Sequence, residues 1–243
     1  MSRKSLRNQP RAQSTATDPS PTVSAAATQA GSASRRGLLA IAGAAALLAA
    51  GGGTYLALRR SPTKATSRPG LASEHAPTLG AANAKVHIVE FLDPACETCA
   101  VFFPLIKRML ADHPDRIRLS VRHVPFHRGS DEIVRLLEAS RQQDRYWQTL
   151  EALLASQGHW AANHTARTDL ALQALAPVGL DLARLQADMR APEVDQRIAQ
   201  DRRDAEALQV SKTPEYFVNG RQMASFGRQQ LQDLIREELQ RAY

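Results

Sequence analysis

Val86-His87-Ile88-Val89-Glu90-Phe91-Leu92-Asp93-Pro94-Ala95-Cys96-Glu97-Thr98-Cys99 holds both cysteines of the 243-residue chain. It runs from an almost unbroken apolar segment, through a turn marked by Asp93-Pro94, into a helical pattern over Ala100 to Ala111. Apolar residues on both faces of Val86 to Leu92 predict a central strand covered on both sides. The Cys-x-x-Cys then falls in the first turn of the helix. Backbone N–H groups there lack helical partners and carry the positive end of the dipole, and both favour a thiolate. Cys99 follows one turn later on the same face and can close a small disulfide ring with Cys96. The pattern is that of a redox dithiol.

Working outward, the helix after Cys96 places Val101, Leu105 and Met109, with Phe102, Ile106 and Leu110, on an inner face. Ile117 to Phe126 predicts a second strand, ended by Pro125. From Ser130 to Leu208 the pattern is helical throughout. Ser130-Asp131-Glu132 caps a first run containing Ile133, Leu136 and Leu137. Further runs cover Tyr146 to Leu154, Thr168 to Leu175, Asp181 to Met189 and Glu193 to Leu208. Tyr146, Trp147, Trp160 and Phe126 are expected to pack this block, and Asp201-Arg202-Arg203-Asp204 to be a solvated helix face. The strand pattern returns at Glu215 to Val218, turns at Asn219-Gly220 and pairs back through Arg221 to Ala224; Asn-Gly between such runs signals a two-residue hairpin. A last amphipathic helix spans Arg228 to Leu239. The order β-α-β, helical block, β-hairpin, α predicts one α/β domain, residues 80–243, with a helical insertion at about 130–208.

The basic excess lies outside that domain. Residues 1–80 carry ten Lys/Arg and two Asp/Glu, a net +8, while residues 81–243 carry twenty-one and twenty-two, a net −1. Nucleic-acid binding would need the cations on the folded surface, so no nucleic-acid partner is expected. Residues 1–36 read as a disordered basic tail. The uncharged run 37–58 is long enough to cross a ~30 Å hydrocarbon core and predicts a transmembrane signal-anchor or export signal. Arg59, Arg60, Lys64 and Arg68 leave its orientation open. Residues 59–79, with Pro62, Pro69 and Pro77, read as a polar linker.

The strand–CxxC–helix opening, Thr213-Pro214 before a strand-Asn-Gly-strand unit, and the helical block between them resemble the DsbA-like thioredoxin-fold disulfide oxidoreductases over roughly residues 80–243. The resemblance implies a thioredoxin-like fold whose βαβ and ββα halves flank the insertion. It implies Cys96 as nucleophile and Cys99 as resolving thiol. It further implies a cis peptide between Thr213 and Pro214 facing the dithiol, and an acid at Glu90 on the first strand. Beside the dithiol, the backbone groups of Thr213 would pair with an extended substrate chain. Asp93-Pro94 and the Thr before the proline are similar to isomerase and reductase relatives, which leaves the direction of electron flow open.

The residues add their own physics. Glu90 is the one acidic group in the apolar strand. A buried carboxylate without a partner is costly, so its pKa should rise, and beneath Cys99 it could exchange a proton with that thiol. The alternative is a Glu90 at a strand edge in solvent. Glu97 beside the nucleophile opposes thiolate formation, which predicts a less oxidising couple than an enzyme with His between its cysteines.

These features lead to an exported, membrane-tethered thiol–disulfide oxidoreductase. It would act on cysteine-containing proteins with a membrane redox partner, from the bacterial inner membrane with its catalytic domain in the periplasm. A chain with only the active pair has no structural disulfide to scramble. No cofactor and no metal is expected. The alternative is a thiol-based metal or copper-delivery module on the same fold, for which Cys96, Cys99, His123 and His127 form a superficial C-x2-C…H-x3-H set whose central gap is long for zinc.

Overall fold

Strand β2 (Val86–Leu92) is the axis of a five-stranded sheet, and its pleat explains where everything else sits. The computed structural model describes Gly70, Leu71 and Ser73–Tyr243. The tail at 1–36, the apolar run 37–58 and most of 59–79 lie outside the described residues. Among the described residues no helix is long and apolar enough to cross a membrane.

The sheet order is β1 (Thr78–Gly80), β3 (Ile117–His123), β2, β6 (Glu215–Val218) and β7 (Arg221–Gln222). Strand β3 runs parallel to β2, and β6 antiparallel on its other side. Alternate side chains of β2 leave on opposite faces. Val86, Ile88 and Leu92 enter the main core with helix α1 (Glu97–Asp112) and the C-terminal helix α8 (Arg228–Ala242). Val89 and Phe91 enter a second cluster on the other face with Leu71, Val124 and Val210. Ile88, Phe91 and Leu92 are fully buried, and burial of such a side chain is worth ~1.5–3 kcal/mol. Glu90 is in register with Ile88 and Leu92, so the pleat turns it toward the α1 face and not to a solvent edge.

The insertion comprises α2 (Ser130–Ser140), α3 (Tyr146–Ala155), the single turn α4 (Gln157–Trp160), a hairpin of β4 (Ala161–Ala162) and β5 (Thr165–Ala166), then α5 (Thr168–Ala174), α6 (Leu182–Asp188) and α7 (Pro192–Ala207). The hairpin is the element the helical reading missed; two-residue strands carry too little periodicity to register. Strand β7 (Arg221–Gln222) pairs with β6 so that Val218 faces Arg221 across Asn219-Gly220. Both turn residues have positive φ, 48° and 81°, as the predicted two-residue turn requires.

Several expectations need correction. The domain starts before Gly80: Leu71 is buried, and β1 (Thr78–Gly80) pairs antiparallel with β3. Strand β3 stops at His123, because Asp93 captures the backbone N–H groups of Phe126 and His127 in place of a ladder. Val101 and Phe126 are about half exposed, so neither belongs to the inner packing, whereas Tyr146 and Trp160 are buried. Ser130 does not cap α2; its hydroxyl donates to Asp93, and Gly129 in the left-handed region starts the helix. Asp201 and Asp204 are not a solvated face. Buried Arg122 donates Nε to Asp201 at 2.6 Å, Nη2 to Asp204 at 2.5 Å and Nη1 to the Gly70 carbonyl at 2.7 Å. A fully buried guanidinium has to satisfy its donors locally, and α7 supplies the carboxylates.

Candidate active site

Cys96 is the N-cap residue of α1, in extended conformation, and it is 5% exposed; Cys99 is fully buried one turn further. Both are free thiols. The turn before them is built by Asp93, itself fully buried. Its Oδ1 accepts the Ala95 N–H at 2.9 Å and the Ser130 hydroxyl. Its Oδ2 accepts the N–H groups of Phe126 and His127 at 2.7 and 2.9 Å and His127 Nδ1 at 2.6 Å. Gln157 reaches in from the insertion. Its Nε2 donates to the Pro94 carbonyl at 2.7 Å and the Cys96 carbonyl at 3.0 Å, which fixes the loop from the other side.

The Thr213-Pro214 bond is cis. The Cys96 thiol donates to the Thr213 carbonyl at 3.2 Å, so the loop before β6 lies against the nucleophile. The two thiols differ sharply. The Cys99 thiol donates to Cys96, and with hydrogen bonding from Thr213 and the N–H groups of Cys99 and Thr98 it outweighs burial and lowers the Cys96 pKa to about 6. The Thr213 carbonyl serves the thiol form and its side-chain contact the thiolate; the sum favours thiolate. Burial, the hydrogen bond to Cys96 and the Glu90 charge push the Cys99 thiol well above its ordinary range. One sulfur is poised to attack and the other to stay protonated.

Glu90 sits beneath them. It pairs across the β2–β6 ladder with Tyr216, whose hydroxyl donates to Oε1 at 2.9 Å. Oε2 is buried and has no hydrogen-bond partner among the described residues. Burial raises the Glu90 pKa to about 8, against the lowering effect of the Tyr216 hydrogen bond. The carboxyl group is therefore mostly protonated at neutral pH.

All five site residues named from sequence, Glu90, Cys96, Cys99, Thr213 and Pro214, fall within this one region. Asp93, Ser130, Gln157 and Tyr216 complete it. Asp93 carried a signal in its Asp-Pro turn, and Tyr216 could have been found by registering the hairpin against β2. Gln157 carried none. Glu97 is 55% exposed and faces His164, its Oε2 lying 3.9 Å from Nδ1. The C-x2-C…H-x3-H set does not assemble: His123 is buried against the Tyr146 hydroxyl at 2.8 Å, while His127 turns to Asp93.

Comparison with known proteins agrees with this geometry. The thioredoxin family profile matches residues 72–237. A thioredoxin-like oxidoreductase from Silicibacter pomeroyi DSS-3 is similar at 32% identity and TM-score 0.62, over 72% of this chain and 99% of that one. BdbD from Bacillus subtilis shares the fold at 23% identity and TM-score 0.61, over 70% and 95% of the two chains. The thiol-disulfide exchange protein alpha-DsbA2 from Wolbachia pipientis shares it at 20% and 0.59, over 69% and 89%. A Na(+)/H(+) antiporter NhaA of Herminiimonas arsenicoxydans is 30% identical over 144 residues, 59% of this chain and 22% of that protein. The chain spans about a fifth of the length of the curated relatives it matches. The profile match, the related oxidoreductase and the asymmetric dithiol at a helix mouth together identify the chain as a member of the thioredoxin family.

Proposed function

We propose that this chain exchanges disulfides with cysteine-containing proteins, with Cys96 as nucleophile and Cys99 as resolving thiol. The observation that carries this is the split between the sulfurs, one lowered to about 6 and one raised, with the Thr213 carbonyl 3.2 Å from the reactive one.

In the oxidising direction a substrate thiolate attacks Cys96 of the Cys96–Cys99 disulfide, and the S–S bond breaks with its electron pair going to Cys99. The new Cys99 thiolate takes a proton from Glu90, which is protonated at neutral pH. A second substrate thiolate then attacks the substrate sulfur of the mixed disulfide. It releases Cys96 as a thiolate and leaves the substrate oxidised by two electrons. In the reducing direction it is the ionised fraction of Glu90, which grows as pH approaches about 8, that receives the proton as Cys99 attacks. An extended substrate backbone pairs with the Thr213 main chain beside Cys96, in the manner of strand addition.

A membrane tether at 37–58, a catalytic domain outside the cytoplasm and a redox partner in the membrane complete the reading; the apolar run and the single active cysteine pair support it. A Cys99→Ser variant should trap protein substrates as mixed disulfides at Cys96 that dithiothreitol releases, and Cys96→Ser should trap none. Equal trapping by both variants contradicts the assignment. Glu90→Gln should slow resolution and flatten its pH dependence near pH 8; an unchanged pH profile removes Glu90 from proton transfer.

A further inference from the structure

Three residues far apart in sequence meet beside the dithiol and take no part in the chemistry above. Glu97 comes from the first turn of α1, His127 from the loop after β3, and His164 from the tip of the β4–β5 hairpin. One ligand atom of each lies within 4.8 Å of those of the other two. The geometry points to a binding site for a divalent transition-metal ion of the zinc class, held by Glu97, His127 and His164 and separate from the two sulfurs; this we infer independently of the thiol chemistry.

The donor set comes first. Two imidazoles and one carboxylate, with a fourth position left to water, suit zinc and its late first-row neighbours. The protonation state comes next. His127 Nδ1 lies 2.6 Å from Asp93 Oδ2, which also accepts two backbone N–H groups. In the neutral ring, an acceptor so engaged holds the proton on Nδ1 and leaves Nε2 to take a ligand. A carboxylate behind a histidine is the usual arrangement by which proteins fix a metal-binding imidazole. The His127 and His164 rings stack at 5.3 Å and 18°, which brings the two imidazoles together beside Glu97.

Distances agree. Ligand bonds of ~2.0–2.1 Å in a tetrahedron place ligand atoms about 3.4 Å apart, and Glu97 and His164 already approach to 3.9 Å. Closing the rest takes movements on the order of 1 Å. Glu97 and His164 are 55% and 75% exposed, so most of each side chain borders solvent and not a packed core. A surface ion pair explains the Glu97–His164 contact alone. It does not explain a second imidazole stacked on the first with its far nitrogen committed to a buried carboxylate.

The test uses the whole chain with Cys96 and Cys99 oxidised to their disulfide, so that no thiolate competes for metal. Titration calorimetry with Zn²⁺ should show one equivalent bound. His164→Ala and Glu97→Gln should each weaken binding by about tenfold or more, while His113→Ala should leave it unchanged. Co²⁺ in place of Zn²⁺ should give ligand-field bands without sulfur-to-metal charge transfer. Absence of Zn²⁺ binding by the oxidised protein overturns the inference. So does binding that survives both His164→Ala and Glu97→Gln, since the ion would then be held elsewhere.

Discussion

Glu90 and Asp201 are both buried carboxylates on or against the central strands, and the chain treats them in opposite ways. Asp201 receives His75 Nε2 at 2.7 Å, Arg122 Nε at 2.6 Å and the His123 N–H at 2.7 Å. Burial works against its charge, but the His75 hydrogen bond, the Arg122 charge and the His123 N–H outweigh it and hold the pKa below the ordinary value. Glu90 has one donor, the Tyr216 hydroxyl, and an oxygen with no partner among the described residues, so burial wins and the pKa rises to about 8. Counting donors decides the protonation state. A fully served carboxylate is structural and stays charged, whereas a half-served one can gain and lose a proton at working pH.

Breaking the served site should have the largest effect. Arg122→Met leaves Asp201 buried without its cation and should cost ~3–5 kcal/mol in denaturant unfolding. Replacing both partners, Arg122→Met with Asp201→Leu, should recover part of that loss, because the buried Asp201 charge is gone while Asp204 and the His123 N–H keep no partner from this pair. If the single and double variants are equally unstable, the network is not what the contacts indicate.

The half-served site is tested by linkage. The folded pKa of Glu90 is raised, so its contribution to stability is fully present below the unfolded value of about 4.5 and is lost as pH rises toward about 8. Asp201 runs the other way: its folded pKa is lowered, so its contribution holds above the unfolded value and is lost as pH falls. Cys96 also titrates between neutral and acid pH, so the wild-type slope alone is mixed. The difference between wild type and Glu90→Gln isolates the carboxyl group. Between pH 5 and pH 8 that difference should shift in favour of the variant by a few kcal/mol at most, at no more than ~1.36 kcal/mol per pH unit. A pH-independent difference places Glu90 outside the titration.

A smaller effect belongs to the clamp on the turn. Gln157→Ala leaves the Pro94 carbonyl without its side-chain donor and the Cys96 carbonyl with the Ala100 N–H alone, and should cost ~1–2 kcal/mol. It should also broaden the pH dependence of Cys96 alkylation, since the loop that presents the thiol is released. Unchanged alkylation would make Gln157 a packing residue only.

The contrast between the two carboxylates also shows what a sequence can carry. Glu90 was conspicuous because it interrupts an apolar strand, although only the sheet and the helix packed on it decide that it faces the dithiol and not solvent. The hairpin at Asn219-Gly220 and the order of strands and helices were legible because local pattern and turn chemistry coincide there with the fold. Asp201 was misread, because Asp-Arg-Arg-Asp on a helix looks solvated until Arg122 arrives from a strand 79 residues away. Gln157 and the Glu97–His127–His164 group share that property. Their partners are remote, and no spacing along the chain announces them.

The most direct measurement is the rate of Cys96 alkylation in the reduced protein as a function of pH, with Cys99 reaction followed in parallel. A midpoint near pH 6 for Cys96, with Cys99 unreactive until strongly alkaline pH, is the predicted result. A Cys96 midpoint at the unperturbed ~8.5, or faster reaction at Cys99, would contradict the assignment of nucleophile and resolving thiol.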